Sequence, residues 1–361
     1  MRRASVKRPR LGYNQGVDLF GMTGDALEQW ARSRGASAGG AHVLARFLLA
    51  RAAGRPLPGP PARALLAEAP FALDLPHADV VPDPDGTVRF AVHLCDGAVV
   101  ETVLIHQPAS DLRSRERWTV CVSSQVGCAR GCVFCETGRI GLKRNLRAAE
   151  IVAQYALAAR HLGARPANVV FMGMGEPLDN LEEVLQAIAV LREPAGFAVP
   201  ERRITVSTVG IVPRMEELYA GTKAQVAVSL HALDPARRLA LLPVARKWSL
   251  GELRAALERA PRTVLLQWTL IDGVNDDRAD ADALARFCEG LDVRVNLIPL
   301  NPGPVPEQRA PPLERCRAFQ KRLLDRGIRA LLRLPHGQEI RGACGQLAGG
   351  RRLACNPAAA G

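Results

Sequence analysis

Two periodicities divide this chain. Apolar positions recur at helical spacing over 25–34, over 42–53 and, after the proline-rich PLPGPP at 56–61, over 62–69, which predicts a small helical appendage. The period then drops to two. Val88, Phe90, Val92 and Leu94 alternate with more polar positions, and 99–105 returns as a partner strand. Between them Asp96-Gly97 predicts a type I′ hairpin turn.

Beyond the hairpin, strand-like runs alternate with helix-period segments. The runs are 118–122, 169–172, 204–207, 225–229, 264–271 and 293–298, with a further one at 328–334. Among the helical segments are 148–162, where Ile151, Tyr155, Ala158 and Leu162 share a face, and 181–191, where Leu181, Val184, Leu185, Ile188 and Leu191 do. Repeated βα units predict an α/β fold whose parallel sheet is closed or partly closed into a barrel. Ligands in such folds sit beyond the carboxyl ends of the strands, and the informative motifs fall there: 123–135, 173–177, Ser207, 229–231 and Asn301.

Composition sets outer bounds. With 361 residues, 48% hydrophobic and 23% charged, the chain can bury an ordinary globular core without staples. The most apolar segment near the amino terminus, HVLARFLLARAAG, is cut by Arg46 and Arg51, so neither a secretory signal nor a membrane span is expected. The chain reads as cytosolic. A net charge of +12 suits a partner rich in phosphates, although a basic surface kept soluble by its charge gives the same number. Residues 1–12 carry five basic side chains and are expected to form a solvated tail.

Four of the nine cysteines fall in VCVSSQVGCARGCVFC at 120–135. In a reducing compartment such a cluster points to metal binding or chemistry rather than a standing disulfide. Cys128, Cys132 and Cys135 form C-x3-C-x2-C with Phe134 before the last thiol. Structural zinc sites take four ligands, commonly from two C-x2-C knuckles, and no second knuckle follows, so zinc is disfavoured. Three thiolates around a four-iron cluster leave one iron open to a small molecule. This spacing after a first barrel strand is the signature of radical S-adenosylmethionine (radical SAM) enzymes. One βα unit later comes FMGMGEP at 171–177, whose glycines let a ligand approach the backbone and whose carboxylate suits a charged amino group.

Over roughly residues 99–349 the chain resembles the RlmN/Cfr family of radical SAM RNA methyltransferases. The resemblance rests on VETV at 100–103, CVSSQVGC at 121–128, FC-x-TG at 134–138, RNL at 144–146, FMGMGEP, VSLHA at 228–232, NLIPLNP at 296–302 and ACGQLAG at 343–349. It implies a partial (β/α)6 TIM-type barrel at 114–340, preceded by a basic tail and helical appendage at 1–75 and a hairpin connector at 76–113, and followed by a loop and tail at 341–361. It also implies that Cys128, Cys132 and Cys135 hold a [4Fe-4S] cluster, while Gly175, Glu176, Ser207, Ser229, Leu230, His231 and Asn301 line the S-adenosylmethionine site. Cys344 matches the methyl-carrying cysteine, Cys121 the one that resolves the protein–RNA adduct through a transient disulfide, and Glu101 the proton acceptor.

The expected activity is methylation of an adenosine ring carbon, C2 or C8, in ribosomal or transfer RNA, with two S-adenosylmethionine molecules per turnover. An electron donor such as a flavodoxin or ferredoxin system, a thiol reductant and a monomeric state complete the expectation.

Blander readings stand beside these. A lone strand cysteine is usually a small buried hydrophobe, a strand glutamate usually a solvated charge, and Cys95, Cys288, Cys316 and Cys355 lie outside every matched block. Two other functions share the cluster: a radical SAM enzyme acting on a protein or small molecule, and a non-catalytic iron–sulfur RNA-binding module. The short appendage lacks the aromatic-rich pattern associated with RlmN, and Glu339-Ile340-Arg341-Gly342 replaces a more acidic stretch, so a side branch with its own target is expected.

Overall fold

The computed structural model describes residues 19–55, 75–109 and 114–349. The tail at 1–12, the expected helix at 62–69 and Cys355 lie outside the described residues. Helix α1 (Gly24–Arg32) begins where the Thr23 hydroxyl accepts the Ala26 N–H, and α2 (Ala38–Ala52) where the Ser37 hydroxyl accepts that of Gly40. The second helix starts before the expected residue 42 because Ser37 caps it, while Ala38-Gly39-Gly40-Ala41 carries no apolar stripe to announce it. Leu27, Ala31, Leu44, Ala45 and Leu48 give these helices a small core of their own.

Strands β1 (Ala78–Pro82), β2 (Val88–His93) and β3 (Val99–Gln107) form an antiparallel ribbon, and β3 continues it onto β4 (Arg117–Cys121). The mostly exposed β1 is a strand that the alternation did not predict. The turn between β2 and β3 also differs from expectation. Asp96 is absent from the few non-glycine residues with positive φ, whereas Gly97 has φ +81°. Leu94 O accepts the Gly97 N–H at 3.0 Å, Leu94 N–H reaches Ala98 O at 2.8 Å, and the Asp96 carboxylate takes the Ala98 N–H at 3.0 Å. The central pair is therefore Cys95-Asp96, with Gly97 as a left-handed bulge, because the aspartate side chain competes for a backbone donor.

From β4 onward the sheet is parallel. A separate ribbon pairs β5 (Gln125–Val126) with β6 (Arg144–Asn145). The main sheet continues through β7 (Asn168–Phe171), β8 (Ile204–Thr208), β9 (Gln225–Ser229), β10 (Val264–Leu270), β11 (Val293–Pro299) and the short β12 (Ala330–Leu332). Between these lie α3 (Glu136–Ile140), α4 (Ala148–Leu162), α5 (Leu181–Arg192), α6 (Val212–Gly221), α7 (Pro235–Leu241), α8 (Leu250–Glu258), α9 (Arg278–Cys288) and α10 (Leu313–Asp325). The order β1-β2-β3-β4-β7-β8-β9-β10-β11-β12 leaves β1 and β12 as edges, so the sheet stays open, as a partial barrel requires. Gln186 on α5 donates to Gly21 O at 2.9 Å, and Glu193 accepts the Gly24 N–H at 2.8 Å, which ties the appendage to the βα layer.

Two packing details aim the cysteine loop. Buried Gln154 accepts the Thr102 hydroxyl at 2.6 Å and the Ser123 N–H at 2.8 Å and donates to Ser123 O at 3.0 Å, which fixes the chain as it leaves β4. Gly127, with φ +79°, then lets the backbone pass so close to Gly141 that a Cβ would fall on the Gly141 carbonyl oxygen, while Cys128 N–H reaches that oxygen at 3.2 Å. Gly127→Ala should lower stability by about 3 kcal/mol or more, combining positive-φ strain with a backbone clash. Chemical denaturation that gave a loss under ~1 kcal/mol would show that the loop relaxes freely.

Candidate active site

The first of two cavities opens at the carboxyl ends of the parallel strands, and the second runs back to the amino ends of β4, β7 and β8, where Arg117, Asn168 and Arg203 stand; the two share Met172, Ile298, Asn301 and Cys344. The first brings together Cys128, Cys132, Cys135, Gly175, Glu176, Ser207, Ser229 and His231. Residues from the β4 loop round to β11 can meet at one cavity only if the sheet curves around it. The second, of about 300 Å3, is lined by Cys121 and by Arg117, Arg202, Arg203 and Arg333, with no acidic side chain in its wall. None of these four arginines makes an ion pair with a described residue.

The first cavity gathers the three thiols of the cysteine loop and one carboxylate. Burial pushes the Cys128 thiol up to about 12 and raises Cys132 and Cys135 too, and the charges of Cys135 and Cys128 on Cys132 add to the shift. Glu176, buried behind the loop, is lifted to about 7 by desolvation, although its carboxylate accepts the N–H groups of Leu178 at 3.0 Å and Val209 at 2.9 Å. Arg130 is occupied by Asp179, with Nε to Oδ2 at 2.7 Å. Three soft thiols that repel one another once ionised, beside a carboxylate raised by burial, form a donor set that fits an iron–sulfur cluster and a cationic sulfonium and ammonium ligand.

His231 sits in the left-handed region at φ +58°, unusual for a non-glycine residue and costing of order 1–3 kcal/mol. Its Nδ1 accepts the Thr269 N–H at 2.9 Å, which leaves Nε2–H as the ring's donor, and Phe134 packs edge-on at 4.9 Å. Ser207 and Ser229 both donate to the Oε1 of Gln267, at 3.2 and 3.4 Å, and Gln267 Nε2 reaches the Met172 sulfur at 3.6 Å. Gln267 was missed in the sequence. The signal was there, as the one amide inside the apolar run Val264–Leu270.

Cys344 lies on a strap stitched over the strand ends. Asn301 Nδ2 donates to Cys344 O at 3.1 Å, Glu136 N–H to Gly345 O at 2.8 Å, and the Thr137 hydroxyl to Leu347 O at 2.8 Å. The ribbon holds the strap from the other side. Asp85 accepts the Gly337 N–H at 2.9 Å, Asp83 that of Ile340 at 3.3 Å, and Glu101 those of Ala348 at 2.5 Å and Gly349 at 3.1 Å. Glu101 also pairs with buried Arg89 at 2.9 Å. Cys344 is exposed, yet its surface faces the internal cleft, so desolvation raises its thiol while Arg333 draws it back down. Cys121, at the end of β4, is buried with its thiol raised by desolvation and by the neighbouring Cys344.

Most of the expected site residues therefore converge. Glu101 lines neither cavity, since its oxygens are taken up by Arg89 and the strap. Leu230 is fully buried in the core and reaches the site region only through its backbone, whose N–H bonds Gln267 O at 3.0 Å. Gly175 lines the first cavity, but with φ +101° an added Cβ would meet Gln125, so packing as well as ligand access calls for glycine.

A parallel βα sheet with this cysteine loop after its first strand defines a radical SAM enzyme, and the Radical SAM superfamily profile matches residues 122–285. A "Probable RNA methyltransferase" of Sorangium cellulosum is 45% identical over 91% of this chain and 86% of its own length. The "Dual-specificity RNA methyltransferase RlmN" of Syntrophobacter fumaroxidans is 46% identical over 73% of this chain and 77% of its own. A crystal structure of a radical SAM methyltransferase from Sphaerobacter thermophilus superposes with a TM-score of 0.81 at 39% identity, covering 91% of this chain and 98% of that one. The chain belongs to the RlmN/Cfr family. It is a radical SAM RNA methyltransferase and, as such, uses a [4Fe-4S] cluster and S-adenosylmethionine. Among the described residues no helix is long and apolar enough to cross a membrane.

Burial, with Arg238 nearby, holds the His231 ring down to about 3. In the unfolded chain the ring protonates below its ordinary value of 6.5, while in the fold it stays neutral, so the unfolded state binds more protons and stability is lost as pH falls from 6.5 towards 3. At pH 5 this ring alone should cost about 2 kcal/mol. Urea unfolding at pH 7 and pH 5 should show a smaller loss in His231→Gln than in the wild type. Equal losses would remove His231 as the cause.

Proposed function

We propose that the enzyme methylates an adenosine ring carbon, C2 or C8, in ribosomal RNA, transfer RNA or both, with Cys344 carrying the methyl group and Cys121 releasing the product. One observation supports this reading above the rest. Cys344 lines both cavities, facing three convergent thiols in one and Cys121 with four arginines in the other. The relatives named as RNA methyltransferases support RNA as the substrate, and an arginine-lined wall without carboxylates suits its phosphates. The greater coverage by the Sorangium relative than by the RlmN relative supports a side branch.

Cys128, Cys132 and Cys135 would hold the cluster. The Glu176 carboxylate would face the amino group of S-adenosylmethionine, with Ser207, Ser229, Gln267 and Asn301 around it. Together the cluster and two S-adenosylmethionine molecules supply, when bound, a methyl group for the Cys344 thiolate and then the removal of one hydrogen atom from that methyl. Arg333 favours the thiolate form of Cys344 for the first event. The carbon on Cys344 would bond the adenine ring, which is too electron-poor for polar methylation; the ring proton would pass to Glu101 and the odd electron back to the electron-transfer system, which restores the aromatic ring. That transfer requires the strap to let go of Glu101, whose oxygens hold Ala348 and Gly349 in the described conformation. The Cys121 thiolate attacks the Cys344 sulfur, the carbon–sulfur bond opens with its electron pair on carbon, that carbon takes a proton to give the methylated base, and the two sulfurs end as a disulfide. A flavodoxin or ferredoxin system would supply electrons, a thiol reductant would reopen the disulfide, and the enzyme would act as a monomer in the cytoplasm.

Anaerobic reconstitution with labelled S-adenosylmethionine should methylate the protein at Cys344, with no label on Cys344→Ala. Cys121→Ala should still take the label and then accumulate a protein–RNA adduct visible on a denaturing gel. Mass spectrometry of ribosomal and transfer RNA from cells with and without the gene should differ in methyladenosine. No difference in either pool would sink the RNA carbon assignment.

The arginine wall gives a quantitative check. Replacing Arg117, Arg202 or Arg203 with alanine should reduce the slope of log affinity against log salt by about 0.7 to 0.9 for each phosphate left without its arginine, while Cys344 self-methylation stays unchanged. An unaltered slope for all three would place the RNA elsewhere.

A further inference from the structure

Among the described residues Arg238 is a cation with no anion to balance it. It lies on α7, is 2% exposed, and its side chain makes no hydrogen bond or ion pair with any described residue; its Nε is wholly buried without a partner. A guanidinium removed from water in this way costs several kcal/mol unless an anion meets it.

The surroundings say where that anion lies. The Val133 N–H donates to Leu241 O at 3.2 Å, Pro243 packs on Gly131, and Leu241, Leu242 and Val244 share a small core with Cys132, Val133 and Phe134. Helix α7 and the cysteine loop are thus one packed unit. Burial lowers the Arg238 guanidinium and Cys132 raises it, and Arg238 in turn depresses His231, so the charge is felt at both residues. The other arginine beside the loop, Arg130, is neutralised by Asp179. A cluster held by three thiolates is anionic and gains negative charge on reduction.

We propose that Arg238 is the buried counter-ion of the iron–sulfur cluster, placed behind Cys132, where it stabilises the reduced state and sets the potential at which the cluster accepts its electron. Arg238 is a positioning and tuning residue, not a catalytic one, because it lines neither cavity and so does not reach the reacting atoms. The inference rests on Cys128, Cys132 and Cys135 being the cluster ligands. A second anion, the carboxylate of S-adenosylmethionine, carries the same kind of charge, and the test separates the two.

Wild type, Arg238→Gln and Arg238→Lys are reconstituted anaerobically and matched for iron and sulfide content. Their clusters are then titrated with reductant under electron paramagnetic resonance, with and without S-adenosylmethionine. Arg238→Gln should make reduction about tenfold less favourable, a fall of about 59 mV for one electron, in the absence of S-adenosylmethionine, and Arg238→Lys should recover most of it. Equal potentials would overturn the proposal, as would a difference that arises only once S-adenosylmethionine is added.

Thermal melting of the cluster-free chain covers the case in which Arg238→Gln assembles no cluster. Relief of the unbalanced charge should make Arg238→Met melt higher than the wild type, and a lower melting point would mark the arginine as merely structural. Failure of the wild type itself to assemble a cluster would instead bring down the ligand assignment, before any variant is compared.

Discussion

The chemistry of this enzyme hangs on the hydrogen bonds that keep the strap across the mouth of the sheet. Cys344 has no motif strength where it stands, and its thiol reaches both cavities only because side chains from distant elements hold the backbone around it. Charged acceptors do much of this: Asp83, Asp85 and Glu101 each take backbone N–H groups from 337–349. Bonds of that kind contribute about 1.5–3 kcal/mol apiece. A backbone held in this way fixes Cys344 on the wall between the two cavities, open to both.

The two cavities are built from opposite charges. Thiols and Glu176 make the first a place for cations, while arginines without an ion-pair partner among the described residues make the second a place for polyanions. Cys344 stands on the border, and Arg333 biases it towards the thiolate. Keeping the signs apart lowers the self-repulsion each wall would otherwise carry and gives the two kinds of ligand different doors.

Much of this was legible along the chain, and what was not divides between local competition and distant partners. The strands of the parallel sheet, the β2–β3 hairpin, the main helices and the cysteine loop follow from spacing within a few residues, so periodicity and C-x3-C-x2-C located them, while β1 and the β5–β6 ribbon were not located. The type I′ expectation at Asp96-Gly97 failed on a competition within the turn itself, between the Asp96 carboxylate and the backbone for the Ala98 N–H. Gln267 could have been noticed, since an amide in an apolar strand needs a partner. The ties of Glu101 to Ala348 and the isolation of Arg238 could not, because each depends on which distant residues arrive beside them. Glu101 shows the limit most plainly: its block in the sequence suggests a proton acceptor, while its surroundings show a carboxylate already taken.

The ribbon-to-strap contacts join residues 247 to 257 positions apart. Closing so long a loop gives little return until both ends are already folded, so these contacts are among the last to form and the first to open. The sheet, the cysteine loop and the radical-generating half need no such closure. A molecule that begins to fray therefore loosens the segment that carries Cys344 while the sheet and the cysteine loop still stand, so the second cavity opens to solvent before the first is dismantled.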